Sequence, residues 1–275
     1  MPEGDTIHTV ARVMAPDLVG QVVRMIEVDQ VVQPWAEGSV ATRCEALGKH
    51  LVIEVMGTEP HTLRVHLGMK GSWHRYRQGE AWRRLPSGRR VVLQTDAWLF
   101  VCFGPKDVEV THVGSYRRPQ VEHLGPDLLG GEFSIDDVIE RARLPHNQRL
   151  AIADVLLTQT VASGIGNVYK SELLFLERVD PFTPSSAVAD TKLVAIYERA
   201  RVLMRENLDS GGWRITTTRP LHATGFSAER SVPMEQRHWV YRRAKKPCHE
   251  CGTLVGSRLQ GPMARMTYWC RRCQV

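Results

Sequence analysis

Apolar side chains recur at three- and four-residue steps near the start of the chain, at Ile7, Val10, Ala11, Met14 and Leu18. That spacing puts them on one stripe of an α-helix. The period then shortens. Segments 22–28, 51–55, 62–65, 90–94 and 99–103 are rich in Val and Leu and are broken by Gly, Pro and Asp, the pattern of short strands. Strands that follow one another without intervening helices predict an antiparallel sandwich or barrel rather than βαβ units. Arg83, Arg84, Arg89 and Arg90 flank Pro86-Ser87-Gly88 and read as an exposed basic hairpin.

Leu124-Gly125-Pro126-Asp127 and Gly130-Gly131 read as an interdomain linker. Beyond them the helical period returns, over 135–142, 150–157, 168–176 and 190–207. Residues 208–232 hold Gly211-Gly212, three consecutive Thr, Pro220 and Gly225 without a clear period, which predicts a mobile functional loop or a partly disordered segment. The expected organisation is a β-rich unit at 1–123, a linker at 124–134, a helical unit at 135–239 and a terminal module at 240–275.

Composition narrows the class. Of 275 residues, 43% are apolar and 24% charged, close to globular averages, which excludes disordered and fibrous proteins. No apolar run approaches the roughly 20 residues needed to cross a bilayer, and the N-terminus lacks the basic flank and apolar core of a secretory signal. The expectation is a soluble cytoplasmic protein with no membrane partner.

Charge is unevenly placed. The net charge is +6, yet residues 240–275 hold Arg242, Arg243, Lys245, Lys246, Arg258, Arg265, Arg271 and Arg272 against the single acid Glu250. That module alone carries +7 and leaves −1 for the first 239 residues. A compact basic module on a near-neutral body suits a polyanion.

The same module carries four of the six cysteines, as Cys248-His-Glu-Cys251 and Cys270-Arg-Arg-Cys273, with 18 residues between the doublets. This is zinc-site spacing. Two CxxC turns complete a closed tetrahedron with no open position, so the site would be structural. The competing reading is a redox pair or disulfide, which a reducing compartment disfavours. Cys44 and Cys102 lie singly in strand-like stretches and read as buried small hydrophobes.

Two further features carry chemistry. Gly164-Ile165-Gly166-Asn167 lacks the third glycine and preceding strand of a dinucleotide fingerprint. It reads as a turn between helices, whose N–H groups and Asn167 amide could face an anion. Taken alone it is a helix connection. At the N-terminus, removal of Met1 would expose the secondary amine of Pro2. An α-amino group titrates near ~7.7–8.0, so a usable fraction is unprotonated at neutral pH. Attack on an aldehyde carbon would give an iminium that stays cationic and acts as an electron sink, with Glu3 adjacent to move protons. Taken alone, Met-Pro-Glu is an ordinary frayed terminus.

Together the signals resemble one family. Met1-Pro2-Glu3-Gly4, Gly48-Lys49-His50-Leu51, His66-Leu67-Gly68-Met69, Leu124-Gly125-Pro126-Asp127, Gly164-Ile165-Gly166-Asn167-Val168-Tyr169 and the four-cysteine module occur in the order seen in formamidopyrimidine-DNA glycosylases and endonuclease VIII. The resemblance covers nearly the whole chain. It implies an α+β protein: an N-terminal antiparallel β-sandwich with a leading helix, then a helix–two-turn–helix domain with a zinc-finger hairpin. It implies a monomeric base-excision repair enzyme of the bacterial cytoplasm and nucleoid, a DNA glycosylase and abasic-site lyase acting on damaged DNA with one structural zinc. By position, Pro2 would be the nucleophile and Glu3 the proton donor and acceptor. Lys49 and Arg265 would hold phosphate and assist catalysis, Asn167 would hold a phosphate, and Met69 would wedge into the base stack. Cys248, Cys251, Cys270 and Cys273 would hold the zinc.

The chain departs from the family at Asp5 and Thr6, where many members have Pro and Glu. Cys102-Phe103-Gly104-Pro105-Lys106-Asp107 lacks the double arginine of the 8-oxoguanine enzymes. That absence, with Gly4 and Leu156-Leu157-Thr158-Gln159, leans toward the endonuclease VIII branch and oxidised pyrimidines. The alternatives are oxidised-purine excision by the same mechanism and a damaged-DNA clamp without catalysis.

Overall fold

A computed structural model describes residues 2–112, 121–209, 216 and 236–275. The chain divides into two compact units, 1–123 and 124–275.

The first unit opens with α1 (Gly4–Leu18). Its Ile7, Ala11, Met14 and Leu18 are buried, the stripe set by the sequence period. Among the described residues nine strands follow: β1 (Val23–Val28), β2 (Val31–Val32), β3 (Val40–Leu47), β4 (His50–Met56), β5 (Pro60–His66), β6 (Ser72–Arg77), β7 (Arg89–Thr95), β8 (Trp98–Phe103) and β9 (Asp107–His112). They form two antiparallel sheets, in the orders β2-β1-β7-β8-β6 and β3-β4-β5-β9. Period-two alternation sends Leu51, Ile53 and Val55 of β4, Leu63 and Val65 of β5, Val91 and Leu93 of β7, and Phe100 and Cys102 of β8 into one core with the α1 stripe. Each such side chain, fully buried, contributes about 1.5–3 kcal/mol. Cys44 lies in the same core, and burial pushes its thiol up to about 12, as expected of an inert small hydrophobe.

The basic hairpin expected around Pro86-Ser87-Gly88 is not formed. β6 and β7 flank β8 on opposite sides, so the segment joining them crosses the sheet instead of turning back on itself. Trp82 packs on Tyr76, Val92, Val101 and Phe103, a small cluster apart from the main core. Arg89 pairs with Glu27 at 2.7 Å and Arg90 with Asp29 at 2.5 Å, while Arg83 and Arg84 are exposed.

The second unit contains α2 (Ile135–Ala142), α3 (Pro145–Gln148), α4 (Ile152–Leu157), α5 (Asn167–Leu176) and α6 (Asp190–Asp209), then the hairpin of β10 (Gly256–Gln260) and β11 (Arg265–Trp269). Ser134 caps α2 by accepting the Asp137 N–H at 3.2 Å. Residues 124–134 do not behave as a free linker. Leu128 is buried in the helical core, and the Gly125 N–H donates to the Gln159 carbonyl at 2.9 Å. A Cβ on Gly125 would come within 2.3 Å of the Val161 carbonyl oxygen, so only glycine fits this approach. The expected loop at 208–232 lies outside the described residues, apart from the end of α6 and Thr216.

α5 ties the hairpin region to the helices. Glu172 is fully buried and accepts backbone N–H groups from Trp239 (2.7 Å), Val240 (2.9 Å) and Tyr241 (2.8 Å), and the Thr216 hydroxyl. One carboxylate thereby satisfies three buried N–H groups just before the cysteine module.

Candidate active site and zinc centre

The first unit holds Pro2, Glu3, Lys49 and Met69. Glu3 is fully buried at the N-cap of α1, and Pro2 beside it is half-buried. The Glu3 N–H donates to Thr6 Oγ1 at 3.4 Å, one half of a capping box. Asp5, also buried, accepts the Thr6 N–H at 2.7 Å and the Thr6 hydroxyl at 3.2 Å. The Asp5-Thr6 departure therefore builds the first turn of α1, where the helix dipole favours a carboxylate.

Lys49 occupies the two-residue turn joining β3 and β4, whose register closes at Leu47 and His50. Gly48 takes a φ of 57° there, the left-handed conformation that such a turn requires at its first central position. α1 packs against β3 and β4, so the helix that Glu3 caps lies against the hairpin that carries Lys49.

Met69 is 65% exposed. The turn that presents it needs glycine on both sides. A Cβ on Gly68 would meet Lys106 Cβ at 2.6 Å, and one on Gly71 would meet the Leu67 carbonyl oxygen at 2.4 Å. Met69 thus sits on a tight turn braced by the β8–β9 connection at Lys106.

The second unit holds Asn167, Arg265 and the cysteines. Gly166 caps α5, and Asn167 is its first residue. Asn167 Nδ2 donates to the Met266 carbonyl at 2.8 Å, next to Arg265. Arg265 is exposed at the start of β11, after a turn in which Ala264 adopts a φ of 45°. Among the described residues its guanidinium has no acidic partner. Lys170, one turn further along α5 and only 1% exposed, donates to Thr267 Oγ1 at 2.7 Å.

The sulfurs of Cys248, Cys251, Cys270 and Cys273 lie within 4.8 Å of one another. The closest pairs are Cys251–Cys270 at 3.4 Å and Cys248–Cys273 at 3.9 Å. All four thiols are free, and these gaps far exceed the roughly 2.05 Å of a disulfide. A tetrahedral zinc with Zn–S bonds of about 2.3 Å separates its sulfurs by about 3.8 Å, so the cluster fits that ion. Among the described residues no carboxylate or imidazole belongs to the group, and four thiolates alone suit a structural site.

Sequence reasoning did not single out Arg64, Lys170 or Glu172, and it read His50 only as part of the Gly48-Lys49 turn. His50 and His66 are 16 residues apart, and only the β4–β5 register places them opposite each other. Arg64 and Lys170 sit at positions where a charge reads as surface, yet both are buried.

The chain resembles known proteins over nearly its whole length. The profile of the formamidopyrimidine-DNA glycosylase N-terminal domain matches residues 1–112, and that of the formamidopyrimidine-DNA glycosylase H2TH domain matches residues 124–219. A Streptomyces coelicolor protein named probable endonuclease 8 2 is 32% identical over 280 residues, covering 100% of this chain and 94% of that one. The Mycolicibacterium smegmatis protein named DNA-(apurinic or apyrimidinic site) lyase Nei2 is 31% identical over 276 residues, covering 100% and 99%. The crystal structure of the MutM (Fpg) protein of Thermus thermophilus superposes with a TM-score of 0.74 at 25% identity, covering 99% of this chain and 98% of that one.

Proposed function

Since the chain belongs to the formamidopyrimidine-DNA glycosylase and endonuclease VIII family, we propose that it is a bifunctional DNA glycosylase and abasic-site lyase of base-excision repair. The observation that carries this reading is the buried carboxylate of Glu3 at the N-cap of α1, directly after Pro2.

Removal of Met1 leaves the Pro2 nitrogen as a secondary amine. It attacks C1′ of the damaged nucleotide, the glycosidic C–N bond breaks, and the base leaves with a proton. Glu3 moves protons during this step and sugar-ring opening. The resulting iminium withdraws electrons from C2′, which loses a proton. The 3′ phosphate departs by β-elimination; loss of a further proton, from C4′, then expels the 5′ phosphate by δ-elimination, and water hydrolyses the iminium, freeing Pro2 and the unsaturated aldehyde and leaving a gap with phosphate at both ends. Lys49 and Arg265 hold phosphates flanking the extruded nucleotide, and Asn167 holds another. Extrusion costs a few kcal/mol, and Met69 offsets part of it by filling the vacated stack.

The missing double arginine around Phe103–Lys106 and the endonuclease 8 names of the relatives support oxidised pyrimidines as the favoured substrates. One structural zinc per chain, held by Cys248, Cys251, Cys270 and Cys273, keeps the β10–β11 hairpin folded so that Arg265 is presented. The enzyme acts as a monomer on DNA in the bacterial cytoplasm.

The test is reductive trapping. Incubation with an abasic-site oligonucleotide and cyanoborohydride should weld protein to DNA through Pro2. Nicking without a trapped adduct, or full activity with a blocked N-terminus, would refute the mechanism. DNA binding without nicking would identify a clamp that lacks catalysis.

A further inference from the structure

Beside Lys49 lies a group of side chains that the chemistry above does not use. His50 begins β4 and His66 ends β5, and the register sets them opposite each other. Their ring centroids are 4.9 Å apart. Arg64, two residues before His66, is 5% exposed. Its Nε donates to Glu109 at 2.8 Å and its Nη2 to Asp107 at 2.5 Å, both on β9. Its Nη1 lies 3.0 Å from His50 Nδ1.

That last contact has one chemical reading. A guanidinium has five donors and no acceptor, so His50 Nδ1 must accept. The ring proton is then on Nε2, fixed there by the partner of the other nitrogen. Among the described residues, neither His50 Nε2 nor either ring nitrogen of His66 has a protein partner, and both rings are half-buried. Burial holds both imidazoles far below their ordinary range, His50 at about 3 and His66 at about 4. His50 is further lowered by His66, Arg64 and Lys49, and His66 by Lys106, Lys49 and Arg64, while Asp107 opposes in both. His50 at neutral pH is therefore an uncharged ring with a directed N–H, set in cationic surroundings.

We propose that His50 donates its Nε2–H to the same DNA phosphate that Lys49 holds, with Arg64 as the positioning residue that fixes its tautomer. This inference rests on the proposed DNA repair activity and adds a ligand contact to that site. Lys49 supplies charge, which attracts any phosphate. His50 supplies direction, because a neutral donor rewards only a phosphate oxygen placed along its N–H.

The test uses the full-length protein and duplex DNA containing an abasic-site analogue. His50→Phe keeps a ring against His66 but removes both nitrogens, and should weaken binding by roughly 10-fold. His50→Gln restores an N–H near the Nε2 position and should recover most of that loss. The slope of log affinity against log salt should be the same in both variants and the wild type, because a neutral donor displaces no counterion. Lys49→Ala should instead reduce the slope by about one. Nitrogen-15 spectra of the free wild-type protein should show His50 as the Nε2–H tautomer from pH 8 down to pH 5. Unchanged binding by His50→Phe, no recovery by His50→Gln, a changed salt slope in His50→Phe, or an imidazolium at His50 near pH 6 would each overturn the proposal. Wild-type nicking and adduct trapping are read in parallel. Their failure would sink the repair activity itself, whereas a defect confined to the His50 variants concerns this contact alone.

Discussion

Asn167, the first residue of α5, donates its side-chain N–H to the Met266 carbonyl 2.8 Å away, on the strand that begins with Arg265. Lys170, one turn along, reaches the same carbonyl at 3.4 Å and Thr267 Oγ1 at 2.7 Å. Two side chains of one helix thus fix the backbone position of the strand that presents the exposed arginine. The amide has a second N–H, so one side chain can hold the strand and still make the phosphate contact proposed for it.

This arrangement predicts coupling between Asn167 and Arg265. Asn167→Ala should weaken binding to abasic-site DNA by about 5- to 30-fold, the equivalent of ~1–2 kcal/mol for a hydrogen bond near a charged ligand. If Asn167 acts partly by placing Arg265, the Asn167→Ala/Arg265→Ala double variant should lose less than the sum of the single losses. Strict additivity in a binding titration would show that the two residues act independently.

The proton-moving role proposed for Glu3 predicts a loss of activity separable from its place at the N-cap of α1. Glu3→Gln keeps the size of the side chain and the backbone half of the capping box. It should lower base release by at least ~100-fold, the ordinary range for a lost general acid or base. Affinity for an abasic-site analogue should stay within about threefold. A gel-shift titration beside a single-turnover excision assay separates the two, and parallel losses in both would point to a folding defect.

The zinc centre makes a prediction about folding. The β10–β11 hairpin has few large buried apolar residues of its own, and Cys248 and Cys270 belong to its small core with Phe175, Trp239, Val240 and Val255. Metal affinity there is folding free energy. Elemental analysis should find one zinc per chain. Cys270→Ser should lose it and lower both melting temperature and DNA affinity, while circular dichroism of the strands in the first unit persists. A variant that binds no zinc yet binds DNA normally would refute the role given to the metal.

Much of this was legible in the chain. The α1 stripe, five of the strands and the long helices follow from the spacing of their apolar residues. β3, β6 and β9 were less legible. β6 (Ser72–Arg77) carries no aliphatic residue and sits at a sheet edge, where polar and aromatic side chains satisfy the same backbone geometry. β9 runs Asp-Val-Glu-Val-Thr-His at the opposite sheet's edge, and its acids face Arg64 rather than water alone. The basic hairpin expected near Pro86 failed because strand order is non-local. Nothing within 83–90 reveals that β8 lies between β6 and β7. The cysteine quartet was readable from spacing, since two CxxC turns have few other uses, whereas Arg64 and His50 acquire meaning only once the sheet register is known.

The histidine pair predicts how stability depends on pH. Both imidazoles have folded-state values, about 3 and about 4, below the unfolded value near 6.5. Between those limits the unfolded chain binds more protons than the folded one, so stability rises with pH. The contribution is complete above about pH 6.5 and is lost as pH falls toward 4. The Arg64 contact holds the Asp107 carboxyl below its ordinary range, which adds a loss only at lower pH. Melting temperature should therefore fall between pH 7 and pH 5, and a His50→Gln/His66→Gln variant should flatten that decline. An equally steep decline in the double variant would assign the pH dependence to other groups.

The wedge role proposed for Met69 makes its contribution depend on the form of the substrate. A stacked duplex must be opened before a base can be extruded, and a thioether filling the gap offsets part of the unstacking cost. A single strand has no stack to repair. Met69→Ala should therefore lower excision from duplex DNA by about 5- to 30-fold, corresponding to ~1–2 kcal/mol, and leave excision from single strands nearly unchanged. Its folding cost should be small, since the side chain is 65% exposed. Gly68→Ala tests the support beneath it. The added Cβ would strike Lys106, and the residue would be held at a φ of 63°, so the turn must shift. That variant should reproduce the duplex-specific defect although the methionine is still present. Equal losses on duplex and single strand, for either variant, would mean that Met69 serves general binding rather than the opened stack.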